Sequence, residues 1–124
     1  MVKAVALDHV VLNVADVERS LAWYCGQLGL EGLCVEEWRR GEVYFPSLRL
    51  DKTTIIDLLQ ADRTGQNVDH VCLVIEPTDL DTIAASGRFD VVSGPARRWG
   101  ARGDGTSLYV LDPDGNVVEL RHYA

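Results

Sequence analysis

Two histidines stand in near-identical settings 61 residues apart, His9 in "LDHVVLNV" (7–14) and His70 in "VDHVCLVI" (68–75). Two carboxylates repeat with almost the same offset. Asp57 in "IIDLLQ" (55–60) and Glu119 in "VVELRH" (117–122) are 62 residues apart. His9 precedes Asp57 by 48 residues, and His70 precedes Glu119 by 49. A single histidine in an aliphatic run is an ordinary hydrogen-bonded strand residue. Two in matching register, each with a carboxylate to match, point to a duplicated unit that carries the same chemical group twice. Neutral imidazole with carboxylate suits borderline divalent cations, so Zn, Fe(II), Mn, Ni and Co are the ions this donor set would take.

The elements that must position these groups follow from periodicity. Alternation in the first segment sends Val10, Leu12 and Val14 to one face and His9, Val11 and Asn13 to the other. In the second, Val71, Leu73 and Ile75 oppose His70, Cys72 and Val74. Each histidine thus sits on the face away from the larger aliphatic set. Asp16 is placed to cap a helix whose stripe is Val17, Leu21, Tyr24 and Leu28, with Gly29 as its stop. Pro77 and Thr78 introduce a shorter helix with Leu80, Ile83 and Ala84 on one side. Three strand-like segments follow each helix: "GLCVEEW", "EVYFPSLRL" and "TTIIDLLQ", then "DVVSGPARR", "TSLYVLD" and "NVVELRHY". "DPDG" (112–115) is a turn, and the polar "QADRTGQN" (60–67) reads as a linker. The pattern is strand, helix, three strands, twice: an α+β chain with one module over 1–62 and another over 66–124.

Composition narrows the function classes. A net charge of −7 argues against nucleic acid, which asks for a cationic face. No apolar run approaches the ~20 residues of a membrane span. The N-terminus meets an aspartate and a histidine too early for a signal peptide. Three cysteines, odd in number and without a CxxC pair, read as reduced thiols, and the expected compartment is the cytoplasm. Cys72 reads as a small buried hydrophobe.

The stretches "LDHVVLNVADVERSLAWYCGQLGL", "VDHVCLVI" and "SLYVLDPDGNVVELRHY" resemble the vicinal oxygen chelate superfamily of glyoxalases, bleomycin-resistance proteins and extradiol dioxygenases. "GPARRWGARGDGTSLYVLDPDGNVVEL" is similar to a small glyoxalase-domain subgroup. The resemblance implies two βαβββ modules whose mixed sheets form a cup around a divalent metal. It places metal ligands on His9, His70 and Glu119. The fourth family position falls on Asp57, one methylene shorter than the usual Glu or Gln, which favours a role beside the metal over direct ligation. Two histidines and one carboxylate leave positions for water and for a substrate with two neighbouring oxygens. The implied activity is that of a glyoxalase-like lyase or isomerase, or an extradiol-type dioxygenase, with Glu119 or Asp57 as proton shuttle. The alternatives are a bleomycin-resistance-like drug-binding protein without catalysis and a fosfomycin-type thiol transferase. Small members of the superfamily often share sites between two chains, so the expected assembly is a homodimer around a small-molecule substrate.

Several other residues bear on substrate. "GPARRWGARGDG" (94–105) puts Arg97, Arg98 and Arg102 in an otherwise acidic chain. It lacks the order of a phosphate loop, and it reads either as a guanidinium clamp for an anion or as a solvated hairpin loop. Trp99 and Tyr109 read as pocket walls or rim packing. Asp8 and Asp69, each one residue before a histidine, read as strand-end caps.

Overall fold

The computed structural model describes residues 3, 5–66 and 68–123. The chain forms two compact units, one running through Thr64 and one from Gly65 onward.

The first unit runs β1 (His9–Val14), α1 (Val17–Leu28), β2 (Glu31–Leu33), α2 (Val35–Arg39), β3 (Ser47–Arg49) and β4 (Ile55–Gln60). Its four strands are ordered β1-β4-β3-β2, with β1 parallel to β4 and the other pairs antiparallel. A parallel pair needs a long crossover, and α1 begins it. Asp16 caps that helix by accepting from the Arg19 amide at 3.1 Å, and Gly29 ends it at φ 69°. Val17, Leu21 and Tyr24 on α1 are buried together with Val14, Leu48, Ile56 and Leu58 from one face of the sheet. Burying each of these aliphatic side chains contributes roughly 1.5–3 kcal/mol. His9 and Asp57 occupy the opposite face.

The second unit runs β5 (Val71–Val74), α3 (Leu80–Ala85), β6 (Asp90–Gly100), β7 (Gly103–Leu111) and β8 (Val117–His122). The order is β5-β8-β7-β6, again with the first strand parallel to the last. Leu73, Leu80, Leu108, Val110, Val118 and Leu120 form its core. The turn before β8 is held by Asp112, whose carboxylate accepts from the amides of Asp114 and Asn116. Both units are thus α+β, strand–helix–three strands, with mixed sheets.

Two local expectations fail. The segment "GLCVEEW" is a strand only as far as Leu33, because Cys34 takes a left-handed backbone at φ 58° and ends it. Val35–Arg39 then coils into a five-residue helix. Glu36 and Glu37 lie at its positive end and Arg39 at its negative end. Arg39 locks it down by bonding both carboxylate oxygens of Glu18 on α1. The glycine-rich stretch 94–105 is not a loop: β6 runs to Gly100, and only Ala101 and Arg102 separate it from β7.

Candidate metal half-sites

Each unit builds the same short chain of side chains on its polar face. In the second unit, Asp69 Oδ1 lies 2.8 Å from His70 Nδ1, and His70 Nε2 lies 3.1 Å from Glu119 Oε1. The other Glu119 oxygen accepts from Ser107 Oγ at 2.7 Å. In the first unit, Asp8 Oδ2 lies 2.7 Å from His9 Nδ1, and His9 Nε2 lies 4.0 Å from Asp57 Oδ2. Asp57 Oδ1 accepts from Ser47 Oγ at 2.5 Å. Both carboxylates are buried, whereas both imidazoles are partly open to solvent.

Strand geometry produces this. His9 and Asp57 come from the parallel pair β1–β4, and Ser47 stands directly opposite Asp57 on β3. His70 ends the segment leading into β5, the strand that pairs with β8. Asp8 and Asp69 precede their strands, so strict alternation does not bind them, and each turns onto its neighbour's Nδ1. They are imidazole partners, not the strand caps the sequence pattern had indicated.

The donor chemistry fits a divalent ion. A carboxylate on Nδ1 fixes the proton there and leaves the Nε2 lone pair outward, the arrangement that orients metal-bound histidines. Two ligand atoms around a common ion at ~2.1 Å lie about 3.0–3.4 Å apart, and the His70–Glu119 separation of 3.1 Å matches this. The 4.0 Å between His9 and Asp57 is wider than that. Asp57 is drawn instead toward Ser47. Among the described residues no group of three or more His, Cys, Asp or Glu side chains is placed to hold one ion, so each unit offers a pair.

Electrostatics keep these groups in the right form. Burial works to raise the Glu119 pKa, but hydrogen bonds from Ser107 and Tyr109 and the charges of Arg121 and His70 outweigh it. The carboxyl is left below its ordinary value and ionised at neutral pH. The Asp8 hydrogen bond raises His9 above its ordinary value, opposed by some desolvation. Tyr109 packs edge-on against His70 with ring centres 5.7 Å apart. Its phenol is raised first by burial and then by Glu119, and it remains a donor. Cys72 is exposed, not buried, and pairs with Glu119 across β5–β8. Partial desolvation, then Glu119, pushes its thiol up to about 11, so it is no thiolate nucleophile.

The remaining substrate candidates divide. Arg98 lies against the Tyr109 hydroxyl at this half-site. Arg97 is engaged elsewhere, with Asp104 at 2.8 Å, and Arg102 stacks over the Tyr123 ring at 5.4 Å. Trp99 is 81% exposed. Three groups escaped the sequence reading. Ser47 and Ser107 had a signal, since "SLRL" and "SLYV" repeat the Ser-Leu pair one strand before each carboxylate. Arg121 also had one, two residues after Glu119 and hence on its face. It is 3% exposed and sits 3.5 Å from Glu119 Oε2.

Comparison with known proteins gives a consistent family. The sequence profile of the Glyoxalase/Bleomycin resistance protein/Dioxygenase superfamily matches residues 6–120. Virulence protein STM3117 of Salmonella typhimurium is 26% identical over 120 residues, covering 94% of this chain and 83% of that protein. A probable lactoylglutathione lyase of Synechocystis is 29% identical over 126 residues, covering 92% of each. Among solved structures, an integron cassette protein from the mobile metagenome of V. cholerae superposes with TM-score 0.76 at 28% identity, over 100% of this chain and 99% of that one.

Proposed function

Since the chain belongs to the Glyoxalase/Bleomycin resistance protein/Dioxygenase superfamily, we propose that it is a divalent-metal-dependent enzyme acting on a small substrate with vicinal oxygens. The chemistry is that of a glyoxalase-like lyase or isomerase, or of a dioxygenase. One observation carries the reading: the Asp–His–carboxylate–Ser chain is built twice, with each Nδ1 against an aspartate and each Nε2 turned toward a buried carboxylate. A drug-binding protein of the same family has no need of that machinery. The likeness to the probable lyase of Synechocystis supports the lyase branch.

In this reading His9, His70 and Glu119 hold the ion, which when bound supplies Lewis-acid polarisation of the substrate's oxygens. Asp8 and Asp69 fix the tautomer of each imidazole. Ser107 and Arg121 keep Glu119 ionised and aimed. Asp57, set back from His9 and anchored by Ser47, is the carboxylate left to accept a substrate proton. Tyr109 donates beside His70.

The test is elemental analysis of untagged protein, followed by titration with Zn, Mn, Fe(II), Ni and Co at pH 7.5 and 5.5. Binding at pH 7.5 should be stoichiometric. It should weaken at pH 5.5, because protons compete for imidazole nitrogen and the Asp8 contact makes His9 easier to protonate than an ordinary histidine. Failure of all five ions at pH 7.5 would leave the drug-binding protein as the better account.

The proposal extends to assembly. β1 and β5 are edge strands of their own sheets, and each shows an exposed valine, Val11 and Val74. Unpaired apolar edges call for cover, and a homodimer with sites drawn from both chains provides it. His9→Ala and His70→Ala chains, each deficient alone, should then regain metal binding when refolded together. No recovery despite proven subunit exchange would reject shared sites.

A further inference from the structure

The polar face of the second sheet is more cationic than a metal site requires. Register and alternation bring Arg98, Ser107, Tyr109, Glu119 and Arg121 onto one face, through the cross-strand pairs Arg98–Gly105, Ser107–Arg121 and Tyr109–Glu119. Two guanidinium groups therefore share the face with one carboxylate. A bound divalent ion would add two further positive charges. Such a surface repels cations and gains from a negative ligand.

The two arginines are not equivalent. Arg121 is built in. Its Nη1 donates to the Trp99 carbonyl at 3.2 Å and its Nη2 to the Arg98 carbonyl, so it ties down the backbone of β6 that carries the Arg98 side chain. Glycine at 100 and 105 makes room for it. A Cβ at Gly100 would collide with the guanidinium, and one at Gly105 would lie 2.7 Å from the His122 carbonyl and 3.1 Å from Arg121 Nε. That Nε is buried and has no hydrogen-bond partner among the described residues. Arg98, by contrast, is exposed and faces no carboxylate among the described residues. Its Nη1 donates to the Arg97 carbonyl at 2.9 Å, and its side chain lies against the Tyr109 hydroxyl. Arg97, its neighbour in sequence, is neutralised by Asp104. The molecule thus places one unneutralised guanidinium beside the phenol that donates to Glu119 at the His70–Glu119 pair. In the other module Leu59 stands where the repeat puts Arg121, so the cationic face belongs to the second module.

We propose that the site selects an anionic substrate, one with a carboxylate or similar oxyanion next to its chelating oxygens, and that the Arg98 guanidinium, beside the Tyr109 ring, receives that group. The vicinal oxygens in this statement rest on the metal-enzyme reading; the preference for an anion rests on the charge of the face. Arg121 is a positioning residue for Arg98.

Two probes isolate the claim, 3,4-dihydroxybenzoate and catechol, which present the same vicinal oxygens and differ by one carboxylate. Calorimetric titration is run on wild type, Arg98→Gln and Arg98→Lys, with Zn(II) and metal-free. Wild type should prefer the carboxylate by about tenfold or more, the size of a charge-assisted pair. Arg98→Gln should bind both alike with unchanged Zn stoichiometry, and Arg98→Lys should recover part of the preference. Equal affinities in wild type, or a preference that survives in Arg98→Gln, would overturn the proposal. Should none of Zn(II), Mn, Fe(II), Ni and Co bind, the metal-enzyme reading falls, and the same comparison on metal-free protein still decides the anion site.

Discussion

Glu119→Ala is expected to strip the metal, lowering affinity by more than about a hundredfold, while Asp57→Ala leaves metal content near that of wild type. The difference follows from placement. Glu119 Oε1 stands 3.1 Å from His70 Nε2, at the spacing of two ligands on one ion, and Asp57 Oδ2 stands 4.0 Å from His9, the side chain being anchored through its other oxygen to Ser47. Aspartate is one methylene short of its counterpart, and the serine holds it back. Removing Asp57 also deprives the Ser47 hydroxyl of its acceptor, at a cost of about 1–3 kcal/mol. Circular dichroism and metal analysis on the same samples separate the two effects. Equal metal loss from two folded variants would mean that Asp57 is a ligand after all.

Arg121→Met should destabilise the protein by about 3–5 kcal/mol, the cost of removing one partner from a buried ionic network. Arg121 and Glu119 are 3% and 4% exposed, and the guanidinium also serves the Trp99 and Arg98 carbonyls. Arg97→Met is the control. Its ion pair with Asp104 has side chains 79% and 47% exposed, so its loss should cost no more than about 1 kcal/mol. Denaturant unfolding of both variants measures the contrast, and hydrogen exchange should report faster opening of residues 98–105 only in Arg121→Met. Similar stabilities for the two variants would refute the structural role given to Arg121.

The duplication was legible because histidine, carboxylate and aliphatic alternation repeat at nearly constant offset, and alternation needs only local pattern. The same reading assigned Asp8 and Asp69 wrongly, since alternation lapses one residue outside a strand. It also missed α2. "CVEEW" has the β-branched and aromatic residues of a strand, and the deciding event is the left-handed backbone at Cys34, which composition does not announce. The arginines of 94–105 looked alike in sequence. Only cross-strand register shows Arg97 meeting Asp104, Arg102 meeting Tyr123, and Arg98 alone turned toward Tyr109. Arg121 stands in "VVELRH" with no motif of its own. Its face was deducible from Glu119, but its bonds to the β6 carbonyls depend on a hairpin whose bulges no local pattern sets.

The central claim is that the paired imidazole and carboxylate groups hold a divalent ion. Anomalous diffraction from crystals grown with Zn(II), recorded on both sides of the zinc edge, tests it most directly. The account predicts a peak within about 2.0–2.2 Å of both His70 Nε2 and Glu119 Oε1. A clear data set with no peak at His70 and Glu119, or with zinc bound only elsewhere, would contradict it.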